Sequence, residues 1–200
     1  DDIRHNQPAS HKVYGEAQAI LAGDGLQALA FNIIASDPLI DSEMKVNLIA
    51  LLSESSFTMA EGQSIDLSVV SKKVELELLD SMHKKKTGAL LSCAIKFGAL
   101  LNNINEKDLI ILDSFSNYIG LAYQVQDDVL DVTTSEEVLG KHQNSDSKKN
   151  KPSYPTIIGL DESIKSYKEL YQRGLDEISQ LSVNNKPLKQ ITEKLMNRVF

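Results

Sequence analysis

The stretch Tyr123-Gln-Val-Gln-Asp-Asp-Val-Leu-Asp131 constrains the fold and chemistry of this chain more than any other. Its three carboxylates sit in a run that otherwise reads as a buried helix. Tyr118, Ile119, Leu121, Ala122 and Val125 precede them, and Val129 and Leu130 are interleaved. At about 100° per residue, Gln124, Asp127, Asp128 and Asp131 share an arc of roughly 100° on one helix face. Carboxylates crowded on a half-buried face repel each other and lose hydration, so they require a neutralising partner. A hard divalent cation with oxygen ligands, Mg²⁺ shared with substrate phosphates, meets that requirement. The alternative is an acidic helix end facing solvent; the apolar residues on both sides argue against it.

With 200 residues and 42% hydrophobic content, the chain can bury one sizeable core, and a single domain over 1–200 is expected. Five prolines and ten glycines are few beside long Leu/Ile/Ala-rich segments, and strand alternation is lacking, so the expected class is all-α. A net charge of −7 argues against generic nucleic-acid binding. No stretch reads as the roughly 20 apolar residues of a membrane span, and no signal-peptide pattern is present. One cysteine, Cys93, excludes an intramolecular disulfide and reads as packing. These features describe a soluble cytoplasmic helical protein.

Residues 1–10 read as a loop. A helical pattern from about His11 to Ala35 is interrupted at Gly23-Asp24-Gly25, where Asp24 either lines a cavity or bonds backbone. Asp41 or Ser42 caps a second helix to about Ser55. Glu61–Asp66 reads as a polar connection, with Gln63 and Asp66 in turn chemistry or closing over a site. Long helices follow over about Glu75–Leu101 and Glu106–Val132. A polar loop occupies 133–153, and helices resume over about Tyr154–Leu181 and Pro187–Val199.

A second candidate site lies at His83-Lys-Lys-Lys-Thr-Gly-Ala-Leu90. Lys84 and Lys85 read as a solvated face. Lys86 shares a stripe with Leu79, Met82, Leu90, Cys93 and Phe97, where a lysine needs an anionic partner or loses its proton. Thr87 adds a hydroxyl, and Gly88 weakens the helix by about 1 kcal/mol relative to alanine. Together they suit a phosphate and a polar substrate edge; the alternative is a lysine snorkelling past the core. Lys141 and Lys151 flank the polar loop and could reach phosphates held by a metal at Asp127 and Asp131. The four histidines show no zinc spacing.

Taken together, these stretches resemble the trans-isoprenyl diphosphate synthases of the bacterial farnesyl diphosphate synthase type. The matching segments, in the family's order, are Tyr14-Gly-Glu-Ala with Ile20-Leu-Ala-Gly-Asp24, Gly62-Gln-x-x-Asp66-Leu, Lys86-Thr-Gly-Ala-Leu90, Gly120 to Asp131, Leu139-Gly-Lys141 and Lys151-Pro-Ser-Tyr-Pro155. The resemblance implies an isoprenoid synthase-type helical bundle around a central cavity, usually a homodimer. It further implies Mg²⁺-dependent condensation of dimethylallyl or geranyl diphosphate with isopentenyl diphosphate to farnesyl diphosphate. Asp127, Asp128 and Asp131 match the second aspartate-rich motif, with Asp127 foremost as direct metal ligand. Lys86, Lys141 and Lys151 match the lysines that bind the allylic diphosphate. Thr87 and Gln124, with Lys86, match the groups near the allylic carbon. Arg4 corresponds to an allylic diphosphate contact. His5 stands where the family has an arginine for isopentenyl diphosphate, and a mostly neutral imidazole is a poor replacement for that guanidinium.

The metal-ligating members of the family's first aspartate-rich motif, and the helices before it, have no counterpart here. Asp1 and Asp2 resemble that motif's tail. The expectation is therefore the C-terminal two-thirds of a synthase, inactive alone. The alternatives are a geranylgeranyl diphosphate synthase, a non-catalytic subunit regulating a partner synthase, or a terpene cyclase. The helix that would set product length is missing.

Overall fold

The computed structural model describes residues 2–4, 6–134 and 151–198. A two-stranded antiparallel hairpin, β1 (Ile3–Arg4) and β2 (Gln7–Pro8), precedes α1 (Ser10–Tyr14) and α2 (Glu16–Ser36). Then come α3 (Ser42–Ser68), α4 (Leu76–His83), a π-helical stretch at Lys84–Gly88, α5 (Ala89–Leu101) and α6 (Glu106–Thr133). The last elements are α7 (Tyr154–Ile158), α8 (Leu160–Ile178) and α9 (Lys186–Met196).

The all-α expectation stands, and α6 is the hub. One side of it supplies Leu121 and Val125 to a core with Val69, Leu79, Met82 and Tyr154. Another supplies Phe115, Ile119 and Ala122 to a core with Tyr171 and Ile178 of α8. Local signals set the helix starts. The Asp41 carboxylate accepts from the Met44 N–H at 2.9 Å, as expected of an N-cap. Asn105 does the same for Asp108 at 2.9 Å.

Several boundaries differ from the sequence reading, for identifiable reasons. The first helix breaks at Gly15, whose φ of 87° is open to glycine, and not at Gly23 or Gly25. Asp24 is exposed on an unbroken α2. Gly159, with φ 86°, splits the helix expected over 154–181 into α7 and α8. Helix α3 runs on to Ser68, so Gln63 and Asp66 are helical, not in a loop. The expected loop 1–10 contains the hairpin.

Helix α2 also changes the reading of the surface. Its only buried residue is Ile34. Ile20, Leu21, Leu26, Leu29 and Ile33 are each at least half exposed. Against the expectation of no span-like stretch, α2 is long and apolar enough to cross a membrane by length and composition alone.

Candidate functional site

Helices α3 and α6 meet the π-helical stretch so closely that only glycines fit. A Cβ on Gly62 would lie 2.2 Å from the Lys86 backbone nitrogen, and one on Gly120 would lie 2.9 Å from the Gly88 Cα. Gly88 thus does more than loosen a helix: it closes the π-helical stretch Lys84–Gly88, a device frequent at functional sites. The bulge turns Lys86 and Thr87 toward α3 and α6.

Asp66 is the centre of the first cluster. Its carboxylate is buried, and its Oδ2 accepts from Lys151 Nζ at 2.7 Å, Lys86 Nζ at 3.0 Å and Gln63 Nε2 at 3.2 Å. Burial alone would raise the Asp66 carboxyl. The hydrogen bonds from Lys151 and Lys86 outweigh it and hold the group below the usual carboxylate range. Lys86 therefore does not simply snorkel; its anionic partner is Asp66. Lys84 is exposed as expected, whereas Lys85 pairs with Glu61 at 3.2 Å.

Beside this cluster, Thr87 Oγ1 donates to Gln124 Oε1 at 2.7 Å, joining the bulge to α6. The structure thus brings Lys86, Thr87, Gln124 and Lys151 together, with Asp66 as the group the sequence reading placed wrongly. The signal was present: Gly62 and Asp66 are four apart, one face of one helix.

One turn beyond Gln124, the adjacent aspartates part company. Asp128 is buried, and its Oδ2 accepts the Tyr154 N–H at 3.0 Å and lies 3.3 Å from His83 Nε2. His83 is itself buried and stacks on Tyr154, whose hydroxyl donates to Asp80. Burial first, and Asp80 second, push the Tyr154 phenol far up, so it stays protonated. Asp131 is also buried. Asp127 is 38% exposed and faces Arg198 Nη2 at 3.6 Å. The sequence reading missed both His83 and Arg198.

Among the described residues, no three His, Cys, Asp or Glu side chains are placed to enclose a metal ion by themselves. That suits Mg²⁺ only as a cation held by one or two carboxylates and completed by substrate phosphates and water. Asp127 fits by accessibility, being 38% exposed. Asp128 is the less accessible of the two, being buried with its Oδ2 engaged. Lys141 and His5 lie outside the described residues, as does the side chain of Arg4.

A family profile described as polyprenyl synthetase matches residues 1–190. The chain is 36% identical to the farnesyl diphosphate synthase of Escherichia coli (strain K12), across 99% of this chain and 69% of that protein. It is 41% identical to the geranylgeranyl diphosphate synthase of Cyanophora paradoxa, across 99% of this chain and 67% of that one. The crystal structure of a Helicobacter pylori geranyltransferase complexed with magnesium and isoprenyl diphosphate superposes with a TM-score of 0.85 at 30% identity. That match covers 98% of this chain and 65% of the other. The chain spans about two thirds of the length of these relatives.

Proposed function

The chain belongs to the polyprenyl synthetase family, the trans-isoprenyl diphosphate synthases, and from that premise we propose that it carries the allylic-diphosphate side of a Mg²⁺-dependent prenyltransferase. The reaction is condensation of dimethylallyl or geranyl diphosphate with isopentenyl diphosphate to give farnesyl diphosphate. The observation that carries this reading is the convergence of Lys86 and Lys151 on one buried Asp66, beside the Thr87–Gln124 pair.

Two ammonium groups sharing one carboxylate leave a positive surplus, which an incoming diphosphate satisfies. Asp66 holds both lysines in place before substrate arrives, so little reorganisation is needed as the leaving diphosphate gathers charge. The Thr87 hydroxyl and the Gln124 carbonyl offer oxygen lone pairs where positive charge develops on the allylic carbon. Asp127, with Asp131 one turn on, would hold Mg²⁺ together with phosphate oxygens; when bound, the ion neutralises the departing diphosphate. We assign Asp128 the task of fixing α6 against His83 and α7. By resemblance, Arg4 and Lys141 join the allylic diphosphate site, and His5 the isopentenyl diphosphate site.

The bare face of α2 supports a homodimer. Asp24 near the middle of that helix would cost about 3 kcal/mol at a bilayer centre, which favours a second copy over lipid.

The 41% identity to a geranylgeranyl diphosphate synthase favours a second reading with the same chemistry and a longer product. Incubation with geranyl diphosphate, labelled isopentenyl diphosphate and Mg²⁺ separates them by product chromatography. Farnesyl diphosphate supports the first reading and geranylgeranyl diphosphate the second. No product, together with no binding of inorganic pyrophosphate, overturns both.

A further inference from the structure

The segment after α9 returns to the acidic helix. Beyond α9, Arg198 lies on the flank of α6. Its Nη2 donates to the Tyr123 carbonyl at 3.0 Å and its Nε to Gln126 Oε1 at 3.1 Å. The guanidinium sits 3.7 Å from the centre of the Tyr123 ring, a cation–π contact. Nη2 is also 3.6 Å from Asp127 Oδ1, longer than a hydrogen bond but close enough to neutralise the carboxylate.

The placement is built, not incidental. Gln126 is buried, and its Oε1 accepts from the Tyr171 hydroxyl at 2.9 Å as well as from Arg198. Its Nε2 donates to the Met196 carbonyl at 3.0 Å and the Arg198 carbonyl at 3.4 Å. One buried glutamine thus grips both the backbone that ends α9 and the guanidinium that follows. Arg198 lies beyond the residues matched by the family profile, which stop at 190.

We infer that Arg198 is an internal counter-cation for Asp127, held on α6 by Gln126 and Tyr123, and that it competes with the divalent cation for that carboxylate. This rests on Asp127 being a metal ligand, as proposed above. An arginine keeps its charge at any accessible pH, so Asp127 is neutralised before metal arrives. A divalent cation arriving at the same carboxylate meets a positive charge a few ångströms away. The cation binds fully only when phosphate oxygens add negative charge, or when the guanidinium withdraws. Metal entry is thereby coupled to diphosphate entry, and α6 is spared uncompensated carboxylate repulsion in the empty state.

The test is direct metal binding to this chain, with Mn²⁺ alone as the probe and the free ion counted by electron paramagnetic resonance. Removing the charge in Arg198→Gln is expected to tighten Mn²⁺ about fivefold, the scale of a partly exposed ion pair. Tyr123→Leu, which removes the ring beneath the guanidinium, shifts affinity the same way by less. An Arg198→Gln protein with native circular dichroism and unchanged or weaker Mn²⁺ binding overturns the inference. If that variant loses its fold, Tyr123→Leu decides by the same criterion. Asp127→Asn separates the layers. If it weakens Mn²⁺ while Arg198→Gln changes nothing, the counter-cation role alone fails. If it leaves Mn²⁺ binding unchanged, the metal-site reading fails too.

Discussion

Helices α6 and α2 are both long, and their surroundings are opposite. Helix α6 buries polar groups as readily as apolar ones: Asp108, Ser116, Gln126 and Asp128 all lie inside, and each has its hydrogen bonds. Helix α2 is the more apolar of the two, yet Ile34 is its one buried residue. Polar groups on α6 are tolerated because the rest of the chain supplies partners for them. Most of the apolar groups on α2 stay exposed among the described residues, so this helix presents an apolar face that no described element covers.

The sharpest way to break this contrast is to disturb the junction that α6 completes. Gly62→Ala drives a methyl into the backbone of Lys86, where no flexible side chain can yield. A loss of about 3 kcal/mol in urea unfolding is expected, with loss of pyrophosphate binding. Asp128→Ala comes next. It strips His83 and the Tyr154 N–H of their acceptor in a buried place, for a loss of about 2 kcal/mol.

Asp66 tests the same logic through pH. Its folded-state pKa lies below the ordinary value of 3.8, so its ionised form stabilises the fold. That contribution is fully present above the ordinary value and is lost as pH falls through the lower, folded one. Asp66→Asn should lower stability by about 1 kcal/mol at neutral pH, the pair being partly screened. The difference from the native protein should shrink below about pH 4 in acid unfolding curves.

The smallest effect on the fold belongs to α2. Ile33→Ser is expected to change unimolecular unfolding by less than about 0.5 kcal/mol, since the side chain is already exposed. In sedimentation it should weaken self-association. A large loss of monomer stability would erase the contrast between the two helices.

What could be read from the sequence follows the same division. Helix α6 was legible because its carboxylates interrupt a strong apolar periodicity. Lys86, Thr87 and Gln124 were legible because they lie on helical faces near it. Asp66 was misplaced because Gly62 and Gln63 look like turn chemistry, whereas this glycine serves close approach of two helices. Its partner Lys151 is 85 residues away, and that pairing has no local signature. The same holds for His83 with Asp128, and for Arg198 with Tyr123 and Gln126, joined by the packing of α4, α9 and the segment after it on α6. Asp127 and Asp128 share a helix face, but periodicity cannot say which of them is pinned. The neighbouring helices decide that.

The most direct test of the diphosphate site is calorimetric titration of the protein with inorganic pyrophosphate at fixed Mg²⁺. Binding is predicted, and it should weaken at least about tenfold in both Lys86→Ala and Lys151→Ala, each of which removes a charge-assisted hydrogen bond to the ligand. No binding to the native protein, or undiminished binding to both folded variants, would contradict the assignment of Lys86, Lys151 and Asp66 as a diphosphate site.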